Sequence, residues 1–264
     1  KSRWFNDLAF RKAIAYAIDR KRMKTNIYRG IGELQHSPIA VQSPYYLSPQ
    51  QGLKVYSYNP QKAKQLLAEA GYQYNSQQQL LDKDGNPVKF NILVKSEDQS
   101  RVTTAVQIQE DLKQIGIQTN LQTFSFNVVL QRLLAKRDWE CYVGNFEAGV
   151  LEPNLTAFFW TSNGSFHMFN KGSKSKKRPI IGWKATVWEK EIDKLFEEGA
   201  KEADESKRKQ IYSEFQQIVA EQLPVFFLVN PISLQAVRNR VENVEYSAVG
   251  GLLWNIDELR LKGD

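Results

Sequence analysis

Cys141, His36 and His167 are the residues of this chain whose side chains most readily act as nucleophile, general base or metal ligand. A nucleophilic cysteine needs a base beside it, and neither histidine lies near Cys141 in the sequence. The three residues are also too scattered for the ligand spacing of a zinc site. With one cysteine the chain forms no internal disulfide. Cys141 lies in an apolar, strand-like run and is predicted to be a buried, inert thiol.

The motifs of the common catalytic sites are absent from the sequence. It contains no G-x-S-x-G elbow, no phosphate-binding loop and no dinucleotide fingerprint. The adjacent Glu197 and Glu198 fall on the surface of a predicted helix, where a carboxylate is normally solvated. Glu147 and Glu152 follow a predicted strand, and a carboxylate in such a loop either binds a ligand or is simply solvated. We therefore predict that the chain is not an enzyme and needs no cofactor and no metal.

The composition limits the class of protein further. Of 264 residues, 42% are hydrophobic and 25% are charged, which predicts a globular chain with one large or two modest domains. The formal net charge of +7 suggests nucleic acid or an anionic surface as a partner, but the 36 basic and 29 acidic residues are mostly interspersed. The densest basic run, Lys171–Pro179, is flanked by Gly and Ser and is typical of a solvated loop. We predict no nucleic-acid partner.

Capping and turn residues predict the elements of the first third of the chain. Asp7 begins a helix, and Asn59 followed by Pro60 begins another that ends at Gly71. The predicted helices run over residues 8–18, 22–28 and 60–70. Leu80 and Leu81 are predicted to form a hairpin with Val88–Val94, with the turn at Asp84 and Gly85.

A strand, a helix and a strand with short connections follow. They comprise Val88–Val94, residues 101–115 and Ile117–Phe124, which predicts parallel pairing of the two strands. Further predicted helices are 126–135, 187–203 and 205–221, and further strands are 140–146, 225–229 and 234–237. This pattern predicts an α/β or α+β fold with a mixed sheet. No run approaches the ~20 apolar residues of a membrane-spanning helix.

Several segments together resemble the peptide and nickel class of periplasmic solute-binding proteins, called family 5. These segments are Asn6–Arg20, Tyr28–Gly32, Ser37–Pro38, Tyr58–Tyr72, Leu112–Leu121, Leu130–Leu134 and Leu223–Phe227. They follow the order and rough spacing of the family, beginning at its midpoint. The resemblance implies a periplasmic-binding-protein-like lobe with a mixed sheet flanked by helices. Residues 1–222 would form the second lobe, and residues 223–264 a return segment that packs with a missing first lobe.

The resemblance also implies where a ligand binds. In the family, the strand that corresponds to Glu140–Phe146 enters a cleft and ends with Trp, two small residues, Asp and an aromatic residue, with Pro soon after. That Asp pairs with the amino group of a bound peptide. Alignment on Pro153 places Phe146 at the Trp position and Gly149 at the Asp position, so the acidic anchor is absent. Either Glu147 replaces it, or the ligand has no free amine there. The candidate ligand-binding residues are Asn145, Phe146, Glu147, Gly149 and Trp160, although core packing is the commoner role of a tryptophan.

The resemblance finally implies a function. The chain would be part of the extracytoplasmic solute-binding component of an ABC importer, which binds a peptide-like or other small solute by closure of two lobes. Its partners would be the ligand, the permease subunits of the transporter and the missing amino-terminal lobe. The expected location is periplasmic or extracellular, with a lipoprotein anchor upstream. The alternative is the ligand-sensing domain of a transcriptional regulator, which a helix-turn-helix in the upstream sequence would identify.

Overall fold

In the computed structural model, residues 3–145, 152–170, 182–247 and 250–263 are described. The α-helices of these ranges are α1 (Leu8–Ala17), α2 (Arg20–Asn26), α3 (Pro60–Glu69), α4 (Gln99–Gln114), α5 (Phe126–Leu130), α6 (Ala157–Trp160), α7 (Val187–Lys201) and α8 (Glu205–Gln222). The strands are β1 (Glu33–Leu34), β2 (Gln73–Tyr74), β3 (Leu80–Leu81), β4 (Lys89–Lys95), β5 (Gln118–Phe124), β6 (Cys141–Val143), β7 (Val229–Asn230), β8 (Val241–Glu242) and β9 (Arg260–Leu261). The mixture of helices and strands confirms the predicted fold class.

Side-chain caps begin the early helices, because the first backbone N–H groups of a helix lack intrahelical acceptors. The Asp7 carboxylate accepts a hydrogen bond from Ala9 N at 2.9 Å and begins α1. The Asn59 side chain accepts from Lys62 N at 2.8 Å and begins α3. Both starts were predicted. The second helix, α2, begins two residues earlier than predicted because Asp19 caps it.

The cap at Asn59 can be tested by substitution. We expect Asn59→Ala to lower the free energy of unfolding by about 1 kcal/mol, because Lys62 N loses its side-chain acceptor. Ser125→Ala is the matched control, since Ser125 holds the cap position of α5 without a side-chain capping bond. Urea unfolding monitored by circular dichroism measures both. Equal losses in the two variants would contradict the capping role.

The parallel pairing is confirmed. The three-stranded sheet has the order β5-β4-β6, and β4 is parallel to both neighbours. The middle strand buries residues on both faces, including Phe90, Ile92, Leu93 and Val94, as expected of a parallel strand that is covered on both sides. Helix α4 links β4 to β5 and buries Ala105, Ile108 and Leu112.

The predicted hairpin is only partly formed. The chain does reverse after β3, where Leu81 and Pro87 form a single antiparallel bridge and Val88 N donates to Leu80 O at 2.8 Å. The strand partner of β3, however, is β2, and β4 belongs to the parallel sheet. The apolar character of β4 on both faces explains the difference, because a hairpin strand with one solvated face would alternate apolar and polar residues.

The chain divides into two units, residues 1–230 and 231–264. The first unit holds two main hydrophobic clusters. One joins α1, α3, α4 and the sheet, and includes Phe10, Leu67 and Ile92. The other joins α6, α7 and α8, and includes Trp160, Tyr212 and Phe215. Strand β7 belongs to the first unit, where it pairs antiparallel with β1.

The second unit contains the antiparallel pair β8 and β9. The predicted strand Leu234–Val237 is wrong, because residues 231–238 form no strand. Leu234 is 74% exposed, so the apolar alternation there does not mark a buried strand face. Of the predicted strand Val225–Val229, only Val229 lies in a strand, as the first residue of β7. The structural division falls eight residues after the predicted lobe boundary at 222, and the assignment of the two parts to lobes remains a prediction.

None of the helices in the described ranges has both the length and the apolar character to cross a membrane.

Candidate functional site

The carboxyl ends of β4, β5 and β6 lie at one edge of the parallel sheet. Lys95, the last residue of β4, is in register with Phe124 at the end of β5. Val94 is in register with Val143 at the end of β6. The segments that follow these strands therefore leave the sheet from the same edge. In open α/β sheets, ligands bind outside this edge, which makes it the candidate site.

Glu97 joins the segments that follow β4 and β5. One carboxylate oxygen accepts a hydrogen bond from Phe126 N, the first residue of α5, at 2.9 Å. Ser96 N also donates to Phe124 O at 2.9 Å. The hydrogen bond from Phe126 N lowers the pKa of Glu97, so the side chain is a carboxylate at neutral pH. Glu97 thus caps a helix on a neighbouring segment and fixes the spacing of two strand ends.

Aromatic rings and cations alternate along the same edge. The Lys95 ammonium lies 5.5 Å from the ring centroid of Phe126, and Phe126 is 48% exposed. The Arg132 guanidinium lies 4.3 Å from the ring centroid of Phe124, and it also donates to the side chain of Gln122 at 3.0 Å. Such pairs combine an apolar face with a positive charge.

The third segment leaves the sheet through Gly144 and Asn145. Asn145 is exposed, and its amide can donate and accept hydrogen bonds. A Cβ atom at Gly144 would lie 2.6 Å from the hydroxyl of Tyr142, so a glycine lets the Tyr142 side chain fold back over the end of β6. The edge therefore offers an apolar ring, a cation and an amide to a bound molecule. These groups can bind and orient a solute.

The sequence profile named "Bacterial extracellular solute-binding proteins, family 5 Middle" matches residues 1–170. The chain belongs to this family. The match covers the parallel sheet and its carboxyl edge, so the sequence resemblance is confirmed. Membership in a family of solute-binding proteins also agrees with the prediction that the chain is not an enzyme.

Relatives of the family 5 chain carry names that refer to several ligands. The "Oligopeptide-binding protein AppA" of Bacillus subtilis is 27% identical over 248 residues, which are 93% of this chain and 42% of that protein. A "Probable ABC transporter-binding protein" of Deinococcus radiodurans is 27% identical over 260 residues, 94% of this chain and 42% of the relative. The "Nickel-binding periplasmic protein" of Escherichia coli is 33% identical over 116 residues, 44% of this chain and 22% of the relative.

The fold of the chain also matches that of a solved relative. The structure of the Bacillus subtilis AppA protein in complex with a nonapeptide superposes with a TM-score of 0.80 and 25% identity, covering 98% of this chain and 48% of that one. The family 5 chain described here therefore spans less than half the length of these relatives.

The structure describes two of the five predicted ligand-binding residues. Asn145 lies at the carboxyl edge, as described above. Phe146, Glu147 and Gly149 lie outside the described residues, as does the basic run Lys171–Pro179. Trp160 is 1% exposed and packs against Phe159, Phe215 and Phe227 in the cluster of α6, α7 and α8. Trp160 is thus part of the core, whereas Asn145 is exposed. The ligand-binding roles of all five residues remain predictions.

Glu152 has a structural partner. Its carboxylate accepts from Arg208 Nη2 at 2.7 Å and from Asn154 N at 2.9 Å, where it caps the turn that precedes α6. Arg208 in turn donates to Gly199 O at 2.8 Å and to the Tyr45 hydroxyl at 3.1 Å. Glu152 therefore joins the turn that precedes α6 to α8. Neither the solvated nor the ligand-binding interpretation of this carboxylate predicted that role.

The surroundings of Cys141 and His167, the candidate nucleophile and the candidate metal ligand, are those of structural residues. Cys141 is half-buried and not fully buried as predicted. Desolvation of the thiol, assisted by Glu140, raises the pKa of Cys141, which favours the protonated and inert form. His167 is buried, with Nε2 2.8 Å from a carboxylate oxygen of Glu189 and Nδ1 3.1 Å from Phe159 O. Across the described ranges, no group of three His, Cys, Asp or Glu is placed to hold a metal ion.

Glu97, Phe126 and Lys95 were missed in the sequence. The signal was available, because each lies within three residues of the predicted end of a strand of the parallel unit. Residues just after parallel strands gather at the ligand-binding edge of an α/β sheet. The contact between Glu97 and Phe126, however, joins residues 29 positions apart, and no local pattern predicts such a pair.

Proposed function

We propose that this chain provides the second lobe and the return segment of an extracytoplasmic solute-binding component of an ABC importer. The observation that supports this most directly is the match of residues 1–170 to family 5. The chain covers about 42% of the Bacillus subtilis oligopeptide-binding relative, so the activity of the whole protein rests on a first lobe as well. Ligand would bridge the two lobes and stabilise the closed form.

The carboxyl edge of the parallel sheet supports a cleft-facing role for this lobe. The half-exposed ring of Phe126, the Lys95 ammonium above it and the exposed Asn145 offer apolar contact, positive charge and hydrogen bonds within one edge. A binding site that is largely apolar and carries a few placed polar groups takes its specificity from those groups. The Glu97 capping bond keeps the edge in a fixed geometry before ligand arrives, which reduces the entropy cost of binding.

The ligand we propose is a peptide-like or other small solute. Relatives are named for oligopeptide and for nickel, so family membership leaves the ligand class open. Gly149 stands where alignment on Pro153 places the family's anchoring Asp, and we propose that Glu147 provides the carboxylate instead. A carboxylate that binds an ammonium in a desolvated cleft makes a strong, charge-assisted hydrogen bond.

We further propose that the carboxy-terminal residues 223–264 pack against the first lobe. Apolar side chains of the second structural unit support this, because Leu234, Leu253 and Ile256 are 74%, 65% and 63% exposed. Exposed apolar side chains of this density mark an interaction surface. The relatives are more than twice as long as the chain. Their additional residues are numerous enough to form the first lobe that we propose for this surface.

An extracytoplasmic location, with an upstream lipoprotein anchor and permease subunits as partners, completes the proposal. The relative named as an ABC transporter-binding protein supports the transporter as a partner. The names of the relatives refer to binding and transport, which favours this function over the sensing domain of a transcriptional regulator.

Native mass spectrometry of the full-length protein from its own host tests the proposal. We expect a co-purified small molecule whose mass identifies the ligand. Glu147→Gln should weaken the binding of an amine-bearing ligand at least tenfold, because a charge-assisted hydrogen bond contributes roughly 1.5–3 kcal/mol. Isothermal titration with the identified ligand measures the loss.

Glu198→Gln serves as the control, because Glu198 lies on the exposed face of α7 and pairs only loosely, at 3.8 Å, with Lys194. Its affinity should equal that of the wild type. A full-length protein that carries no ligand and shows no thermal shift with peptides, sugars or metal chelates would contradict solute capture. Unchanged affinity of Glu147→Gln would contradict the proposed anchor alone.

A further inference from the structure

The last positions of the three parallel strands form a row at the carboxyl edge, on one face of the sheet. Phe124 at the end of β5 is in register with Lys95 at the end of β4. The third position is Gly144, one residue past the end of β6, because Val94 is in register with Val143. Residues in register share a face of the sheet. The glycine therefore leaves the third position of this row without a side chain.

The Tyr142 side chain occupies the place that Gly144 leaves empty. Tyr142 lies two residues earlier on the same face, and a Cβ atom at Gly144 would lie 2.6 Å from the Tyr142 hydroxyl oxygen. The ring packs against the buried cluster of Leu93, Val129 and Leu133, which holds its direction along the strand. The hydroxyl therefore lies beside the exposed Gly144, at the edge where we propose that the solute binds.

The Tyr142 hydroxyl is available to a bound molecule. It makes no hydrogen bond with any residue of the described ranges. It is open to solvent, whereas the hydroxyls of Tyr56 and Tyr212, which also lack a partner, are buried. Burial of the side chain, with smaller effects of Arg101 and Asp98, raises the pKa of Tyr142. The hydroxyl therefore keeps its proton at neutral pH and can donate a hydrogen bond.

The charged groups near this hydroxyl are largely paired. Arg101 Nε lies 3.1 Å from a carboxylate oxygen of Asp98, so these two charges nearly cancel. The Glu97 carboxylate at the same edge accepts from Phe126 N. Lys95 adds a positive charge to the row that the hydroxyl joins. A donor hydroxyl beside a cation matches a carbonyl or carboxylate oxygen and does not match an ammonium group.

We propose that Tyr142 is a specificity-determining contact of the solute site, whose hydroxyl donates a hydrogen bond to a carbonyl or carboxylate oxygen of a peptide-like solute. The inference rests on the proposed function, because it assigns a further residue to the same site. Closure of the two lobes would remove water from the hydroxyl. A solute without an acceptor oxygen there would leave the donor unpaired, which costs free energy. Gly144 is a positioning residue, because a larger side chain would displace the Tyr142 ring.

Isothermal titration of the full-length protein with trialanine tests this contact, because the tripeptide carries carbonyl and carboxylate oxygens and no polar side chain. Tyr142→Phe keeps the ring and removes the donor, so the affinity should fall about three- to tenfold. Its Tm should equal that of the wild type, because the lost hydroxyl has no partner in the described ranges. Tyr58→Phe is the matched control. Its hydroxyl donates to Gln114 at the far end of α4, so the affinity should stay unchanged.

Gly144→Ala tests the position of the hydroxyl with a second variant. The added Cβ meets the end of the Tyr142 side chain and no backbone atom, so the protein should fold and its affinity for trialanine should fall as far as in Tyr142→Phe.

Three outcomes would overturn the contact. Equal affinity of the wild type and Tyr142→Phe for trialanine would remove it and leave the proposed function standing. A lower Tm of Tyr142→Phe would assign the hydroxyl a structural role instead. A wild type that binds no trialanine would also exclude the contact with a peptide-like solute. Native mass spectrometry of that sample then separates the two proposals, because a retained small molecule of another class would still support solute capture.

Discussion

Gly116→Ala is expected to lower the free energy of unfolding by about 2–5 kcal/mol. Gly116 has a φ of +79°, and a Cβ atom there would lie 2.8 Å from Gln78 O and 2.8 Å from Leu80 N. Both are backbone atoms, and Leu80 N donates to Gly116 O at 2.8 Å, so they cannot move away cheaply. The left-handed conformation costs about 1–2 kcal/mol, and the overlap adds roughly 1–3 kcal/mol. Urea unfolding monitored by tryptophan fluorescence measures the loss.

Gly85→Ala separates the two contributions. Gly85 has nearly the same φ, +80°, but a Cβ atom there meets no atom within 4 Å. Its loss should therefore be limited to the conformational cost of about 1–2 kcal/mol. Equal losses at Gly116 and Gly85 would show that the close approach of the β2–β3 hairpin to the end of α4 imposes no steric requirement.

The second large effect is expected at Glu189, the buried carboxylate at the start of α7. One oxygen lies 2.8 Å from His167 Nε2. The other accepts from Thr186 N at 2.6 Å and from Asn170 Nδ2 at 2.8 Å. Glu189→Ala leaves the buried His167 and the two partly buried donors without this acceptor, and we expect a loss of about 3–5 kcal/mol, measured by urea unfolding.

Two further variants control this result. Glu189→Gln keeps the volume and one acceptor oxygen, and should cost about 1–3 kcal/mol. Glu198→Ala removes an exposed carboxylate from the same helix, and should change stability by no more than about 0.5 kcal/mol. A loss at Glu198 as large as that at Glu189 would assign the effect to the helix and not to the buried network.

The hydrogen bonds of Glu189 also predict that the free energy of unfolding depends on pH. Burial by itself raises the pKa of Glu189, but the hydrogen bonds from His167, Thr186 and Asn170 outweigh it, and the pKa is lowered. The stabilisation is therefore present above the unfolded pKa of about 4.3 and is lost as the pH falls through the lower folded value. The difference in unfolding free energy between wild type and Glu189→Gln should shrink between about pH 5 and pH 3.

Local signals in the sequence predicted much of the first unit. Asp7 and Asn59 cap the helices they were predicted to cap, because a capping bond reaches only two or three residues along the chain. The parallel pairing of β4 and β5 followed from an apolar strand, an amphipathic helix and a second strand with short connections. These features depend on residues that are close together in the sequence, so they can be predicted from local patterns.

Strand partners were less predictable. Leu80 and Leu81 have the composition of a strand, but composition does not indicate whether β2 or β4 is the partner. Leu234–Val237 is also rich in apolar residues and forms no strand. In the candidate site, the bond from Phe126 N to Glu97 joins the start of α5 to the segment that follows β4. The buried pair of His167 and Glu189 lies 22 residues apart, and its only local trace is the capping box that Glu189 forms with Thr186.

The pairing of β1 with β7 has a consequence for synthesis of the chain. Leu34 finds its partner Val229 only after almost the whole first unit has been translated. The bonds from Arg11 to Gln222 O and from Arg20 to Phe227 O span similar separations. At about 5–20 residues per second, the ribosome needs roughly 10–40 s to cover that distance. During this interval Arg11 and Arg20 have their nearby acceptors, Phe5 O and Ala15 O, but each still lacks its distant one. A chaperone that holds this segment would therefore meet a basic and partly apolar surface.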